Sequence, residues 1–143
     1  MSSFRRVLVA LDFAPSSSRV VEVACDLVAP GGALRLLHVV EWVPSVVEGS
    51  VAGYGSPRDL RAVHAASVRR LEETARGLGA SGVDVEVVEG QPAGAILDAA
   101  DEWGADLIVV GGRRRGRFTG LRIGGVVERL LRRARCPVIV VPS

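Results

Sequence analysis

Apolar residues along this chain alternate between short unbroken runs and longer stretches where they recur every three or four positions. Residues 6–11 (RVLVAL), 33–40 (ALRLLHVV), 107–110 (LIVV) and 136–141 (CPVIVV) are of the first kind, nearly continuous. Such runs suit strands covered on both faces. Residues 83–88 (VDVEVV) instead alternate apolar with acidic, as a strand near a sheet edge does. Between these lie the helical patterns. After Asp12 the segment Phe13-Ala14-Pro15-Ser16-Ser17-Ser18 reads as a turn with a serine N-cap, followed by Val20, Val21, Val23, Ala24, Leu27 and Val28 at helical spacing. Pro30-Gly31-Gly32 stops that helix. Residues 58–79 form a second helix, with Leu60, Val63, Ser67, Leu71, Ala75 and Leu78 as its inner stripe, and arginines and glutamates on the solvated side. A third helix over 93–103 starts beside Pro92 and is capped by Gly104. Val126, Val127, Leu130, Leu131 and Ala134 give a fourth.

The order is therefore β-α-β-α-β-α-β-α-β, an α/β chain. The alternation predicts five parallel strands, with helices on both faces and right-handed crossovers, in a Rossmann-like arrangement. A length of 143 residues makes it one domain, 1–143. In such sheets a ligand binds beyond the carboxyl ends of the strands, at the point where the strand order switches. Asp12, Val40-Glu41 and Gly111 sit at such ends. Residues 41–57 read as an irregular segment whose apolar members pack over something.

Composition narrows the chemistry. No apolar run approaches the ~20 residues that span a bilayer. The first strand begins at once and leaves no room for a signal peptide, so the cytoplasm is the expected location and no membrane partner is expected. Cys25 and Cys136 form no CxxC pair and have no histidine at metal-ligand spacing, so they read as free thiols, buried or semi-buried, and no metal site is expected. His38, inside an apolar strand, reads as a hydrogen-bonded core residue. All 18 basic side chains are arginine, which excludes lysine-dependent chemistry. The net charge of +2 is unevenly spread: residues 1–110 carry nine arginines against fifteen carboxylates, and residues 111–143 carry nine against Glu128 alone.

That basic segment contains a stretch built for anions. Residues 109–128 run from strand end through Gly111-Gly112-Arg113-Arg114-Arg115-Gly116-Arg117 to Gly124-Gly125 and a helix start. Glycines let backbone N–H groups approach a phosphate, and the helix N-terminus adds unpaired donors and its dipole. The stretch is neither a P-loop nor a GxGxxG fingerprint. A solvated Gly/Arg turn remains the alternative. So does an acidic protein surface as the partner. Nucleic acid is disfavoured, because the chain has only two Trp, one Tyr and three Phe and no recognised binding motif. No catalytic Ser-His-Asp set is legible.

Five segments in order carry a resemblance over the whole length: VLVALDFAPSS, LHVVE, EGQPAGAIL, ADLIVVG and GGVVERLLRRARCPVIVV. The chain resembles the universal stress proteins. The resemblance implies strand order 3-2-1-4-5, a stress-response role without enzymatic turnover, slow ATP hydrolysis remaining open, and a homodimer joined through the last strand, Val138, Ile139, Val140 and Val141. It also implies an adenine nucleotide, ATP with or without Mg2+, bound through the pattern G-2x-G-9x-G-(S/T). Gly111 and Gly124 fill its first and third positions; Arg114 and Gly125 stand where glycine and a hydroxyl residue belong. By position, adenine and ribose contacts map to Ala10, Asp12, Val40 and Val110, and phosphate contacts to Gly111, Arg114, Gly124, Gly125 and Val126. The two departures imply weakened ATP binding, and a dimeric interaction module without nucleotide is the alternative within the family. Asp12 has a second reading as a strand-end cap.

Overall fold

The structure, a computed structural model, describes residues 4–41, 46–47, 50–51, 57–79, 82–112 and 125–142. The elements are β1 (Phe4–Ala10), α1 (Ser17–Leu27), β2 (Val28–Val40), β3 (Val46–Val47), β4 (Ser50–Val51), α2 (Pro57–Leu78), β5 (Val83–Glu89), α3 (Pro92–Trp103), β6 (Leu107–Gly112), α4 (Gly125–Arg133) and β7 (Val138–Pro142). Five strands form one sheet in the order β5-β2-β1-β6-β7, which is 3-2-1-4-5 among the sheet's own strands, and every pairing in it is parallel. β3 and β4 make a separate antiparallel pair inside the segment read as irregular.

Why the central strands are mostly apolar is visible in their side-chain alternation. Val7, Val9, Leu34, Leu36, Leu107 and Val109 face one way and pack with Val20, Val21 and Ala24 of α1 and Leu71 of α2. Leu8, Leu37, Ile108 and Val110 face the other way and pack with Ile96, Ala99 and Ala100 of α3 and Val127 and Leu130 of α4. Period-two alternation on a sheet covered on both faces leaves few positions for a polar residue. The acidic positions of β5 have a local reason as well. Asp84 and Glu86 both meet the Arg35 guanidinium, at 2.8 and 3.0 Å. Arg35 also lies over the Trp103 ring at 4.7 Å.

Several boundaries differ from the sequence expectation. β1 starts at Phe4 and ends at Ala10, two residues and one residue earlier than expected, because Phe4 pairs with Val28. β2 accordingly starts at Val28 and carries Pro30-Gly31-Gly32 within it. The register between Phe4 and Arg6 shifts from Val28 to Ala33, so the Pro-Gly-Gly segment is an irregularity inside a strand. Gly31 sits there at φ 78°, a value that glycine adopts without strain. β6 continues through Gly111 and Gly112, which pair with Val141 and Pro142 of β7. The N-cap position of α1 is Ser16, but its hydroxyl makes no cap hydrogen bond and its backbone is already helical. At the end of α3, Gly104 takes the left-handed conformation at φ 77° and its N–H donates to Ala100 O.

Candidate functional site

In this fold each helix starts near the carboxyl edge of the sheet. Around that edge, between β1 and β6, lies a cavity of about 690 Å3. Pockets that take small molecules commonly span about 300–1,000 Å3. Strand ends supply Ala10, Leu11, Asp12, Val110, Gly111 and Gly112. The first turn of α1 and the residues before it add Ala14, Ser16, Ser17 and Val20. Pro92 and Ile96 come from α3, and Gly125, Val126 and Val127 from α4. Leu37 and Val39 reach the cavity from β2. The wall is therefore mainly apolar, with Asp12 its one ionisable side chain among the described residues.

Six of the nine residues proposed from sequence meet here: Ala10, Asp12, Val110, Gly111, Gly125 and Val126. Val40 does not line the cavity. Its side chain is buried in the core on the opposite face, as strand alternation requires once Val39 points inward, and its carbonyl accepts a hydrogen bond from Gly90 N at 3.1 Å. Arg114 and Gly124 lie outside the described residues, as do Arg113, Arg115 and Arg117.

Asp12 unites its two readings. Its Oδ1 accepts from the Ala14 N–H at 3.0 Å, closing a turn of the Asx kind, and the residue lines the cavity. The turn is held from behind. Leu11 N donates to Leu37 O at 2.8 Å, and Leu11 O lies 2.7 Å from His38 Nδ1. A carbonyl can only accept, so Nδ1 carries the imidazole proton there. Phe13 takes φ 60°, the single positive value among the described non-glycine residues. Its ring packs against that of His38 with centroids 4.2 Å apart and planes tilted by 32°, and the Arg70 guanidinium of α2 lies over it at 4.1 Å. A left-handed backbone at a bulky residue is strained and persists only where its surroundings impose it.

The glycines at the end of β6 answer to packing as well as to any ligand. A Cβ on Gly112 would lie 2.6 Å from Cγ1 of Val140, and one on Gly111 would lie 3.3 Å from Cγ2 of Val20. Gly125 differs: a Cβ there meets no described atom within 4 Å.

Sequence reasoning did not single out Leu37, Val39, Ile96 or Ser17 as cavity residues. The first three are ordinary core residues that happen to reach past the strand ends. Ser17 was hidden in a run of three serines that reads as a cap. Its Oγ is shielded from solvent and has no hydrogen-bond partner among the described residues.

Cys25 and Cys136 are free and half-buried. Burial is the leading reason that both thiols titrate above their ordinary range, and Asp26 raises Cys25 further, as Asp106 and Asp101 do Cys136. Both therefore hold less of the thiolate, the nucleophilic form, at neutral pH than an ordinary exposed cysteine does. Among the described residues no three of His, Cys, Asp and Glu gather as a metal site would require, and no described helix is long and apolar enough to cross a membrane.

The profile of the universal stress protein family matches residues 3–142. The universal stress protein A homolog 2 of Coxiella burnetii is 34% identical over 145 residues, covering 99% of this chain and 97% of its own. A solved structure from the universal stress protein family of Burkholderia pseudomallei is 30% identical, superposes with a TM-score of 0.69 and covers 97% of this chain and 96% of its own. A universal stress protein solved in complex with cAMP is 26% identical, with a TM-score of 0.67 and 98% of each chain covered.

Proposed function

The chain belongs to the universal stress protein family, and from that premise we propose that it is a nucleotide-binding module of the stress response that acts by binding rather than by turnover. The ligand is an adenine nucleotide, ATP in the first instance. The observation that carries this reading is the cavity itself, placed where β1 and β6 end and floored by Gly111 and Gly112. Its apolar walls, Ala10, Val39 and Val110 among them, suit a base. Asp12 is an acceptor suited to ribose hydroxyls. The N-terminus of α4 at Gly125 and Val126 offers backbone donors toward phosphate. Arg114 and its neighbouring arginines supply positive charge close in sequence to both glycine ends. That a related protein holds cAMP supports the same ligand class. Mg2+ would arrive with the triphosphate and be held mainly by it, since Asp12 is the lone carboxylate among the described lining residues.

We propose a homodimer as the working assembly, with Val138 to Val141 as the seam, and the cytoplasm as its location. A second reading keeps the dimer and discards the nucleotide. It is favoured by Gly125, which lacks the hydroxyl of the ATP pattern, and by the absence of any basic side chain among the described lining residues.

Mass spectrometry of small molecules released by denaturing the purified protein separates the two readings. Released adenine nucleotide, together with a calorimetric titration in which Mg-ATP binds, is the expected result. A protein that releases none, and shows neither heat nor a thermal shift at millimolar ATP, is the dimeric interaction module instead.

A further inference from the structure

Ser17 opens α1 at the cavity. Its Oγ is screened from solvent and has no hydrogen-bond partner among the described residues, although the residue as a whole is partly exposed and lines the cavity. Unpaired buried hydroxyls are destabilising and scarce in native structures, so each one asks for a reason. Its position narrows what that reason is. Ser17 and Val20 lie three residues apart, on one face of α1. A methyl of Val20 sits against Gly111, 3.3 Å from where a Cβ would stand. One turn nearer the helix start, Ser17 lines the same cavity as Gly111 and Gly112. The N-terminal end of an 11-residue helix contributes positive potential there.

The family pattern places a hydroxyl across the cavity, where this chain has Gly125. Resting on the nucleotide reading, we propose that Ser17 supplies that missing donor: its hydroxyl bonds to a phosphate of the bound nucleotide, in place of the side chain that Gly125 does not have. A serine hydroxyl moves between staggered χ1 positions about a single bond, so it can leave its unpartnered position for the cavity without backbone movement. The free protein thus holds the donor unsatisfied, and the ligand completes it.

Isothermal titration of wild type and Ser17→Ala with ATP and with adenosine tests this. Ser17→Ala is expected to weaken ATP roughly tenfold, the effect of one hydrogen bond to a charged group, to leave adenosine within twofold, and to melt no lower than wild type when ligand-free. Gly125→Ser in the Ser17→Ala background should recover most of the lost ATP affinity, because the Cβ at 125 enters space free of described atoms. An unchanged ATP affinity overturns the assignment. So does an equal loss for adenosine, which would put Ser17 at the nucleoside, and so does a lowered melting temperature of the free variant, which would make its role structural. Failure of Gly125→Ser to restore binding overturns the exchange of one hydroxyl for the other. A wild type that binds neither ATP nor adenosine overturns the nucleotide reading itself.

Discussion

At the scale of single residues, the glycines of the β6 end carry two demands at once. Loops that receive phosphate use glycine for close approach and free φ, and Gly111 and Gly112 fit that use. Packing gives an independent reason at Gly112, whose missing Cβ makes room for Val140. Gly112→Ala should therefore destabilise the ligand-free protein by about 1–3 kcal/mol, the usual effect of overpacking. Urea denaturation without nucleotide checks it; a wild-type midpoint would mean that Val140 moves aside freely. Asp12 shows a similar overlap, since its carboxylate closes a turn and faces the cavity. Whether a residue is structural or functional is thus a poor dichotomy at these strand ends.

At the scale of elements, the connection from β1 to α1 is the least conventional part of the site. Phe13 is held at φ 60° between His38 of β2 and Arg70 of α2. The ring contacts offset the backbone strain. Substitution should reveal the balance through an inverted order. Glycine usually destabilises relative to alanine, yet at a left-handed position it is the better tolerated of the two. Both Phe13→Ala and Phe13→Gly lose the ring contacts, and Phe13→Ala alone keeps the strain. Phe13→Gly should be the more stable variant by about 1 kcal/mol, and Phe13→Ala should lie about 1–2 kcal/mol below wild type. Chemical denaturation of the pair decides it, and the ordinary order, alanine above glycine, would show that the strain is absent in solution. None of this was legible beforehand. A phenylalanine after Asp12 looks like a turn residue, and its partners lie 25 and 57 positions further along the chain. By contrast, RVLVAL and LIVV announced their strands because both of their faces are buried. Pro30-Gly31-Gly32 misled because turn chemistry was read without the partner strand, whose Phe4 extends the pairing to Val28. Val40 was carried to the site by its place in a pattern, and the period of two turned its side chain to the other face. Ser17 was invisible because nothing in a sequence says which of three serines will lack a partner.

At the scale of the molecule, the sheet ends at β7, which pairs with β6 on one side. Val138, Ile139 and Val140 are half-buried within the single chain, and Leu131 of the adjoining α4 is 48% exposed. An apolar edge strand without charge invites a second chain, and a two-fold pairing of like strands closes the assembly. Sedimentation at tens of micromolar should give a species of twice the 15.0 kDa chain mass. Val140→Lys should shift it toward the monomer, and a wild-type particle of one chain would remove the dimer.

The pairing of β6 with β7 has a wider consequence. Gly111 and Gly112, which floor the cavity, are in register with Val141 and Pro142, in and just beyond the seam proposed for the second copy. One short backbone ladder would then be shared between the two binding events proposed above. Any free energy that passes through it obeys reciprocity: if nucleotide tightens self-association, self-association tightens nucleotide by the same factor. Such a protein would measure ligand and its own abundance together. A cell that accumulates it would then change how strongly each copy holds its nucleotide, with no change in nucleotide level.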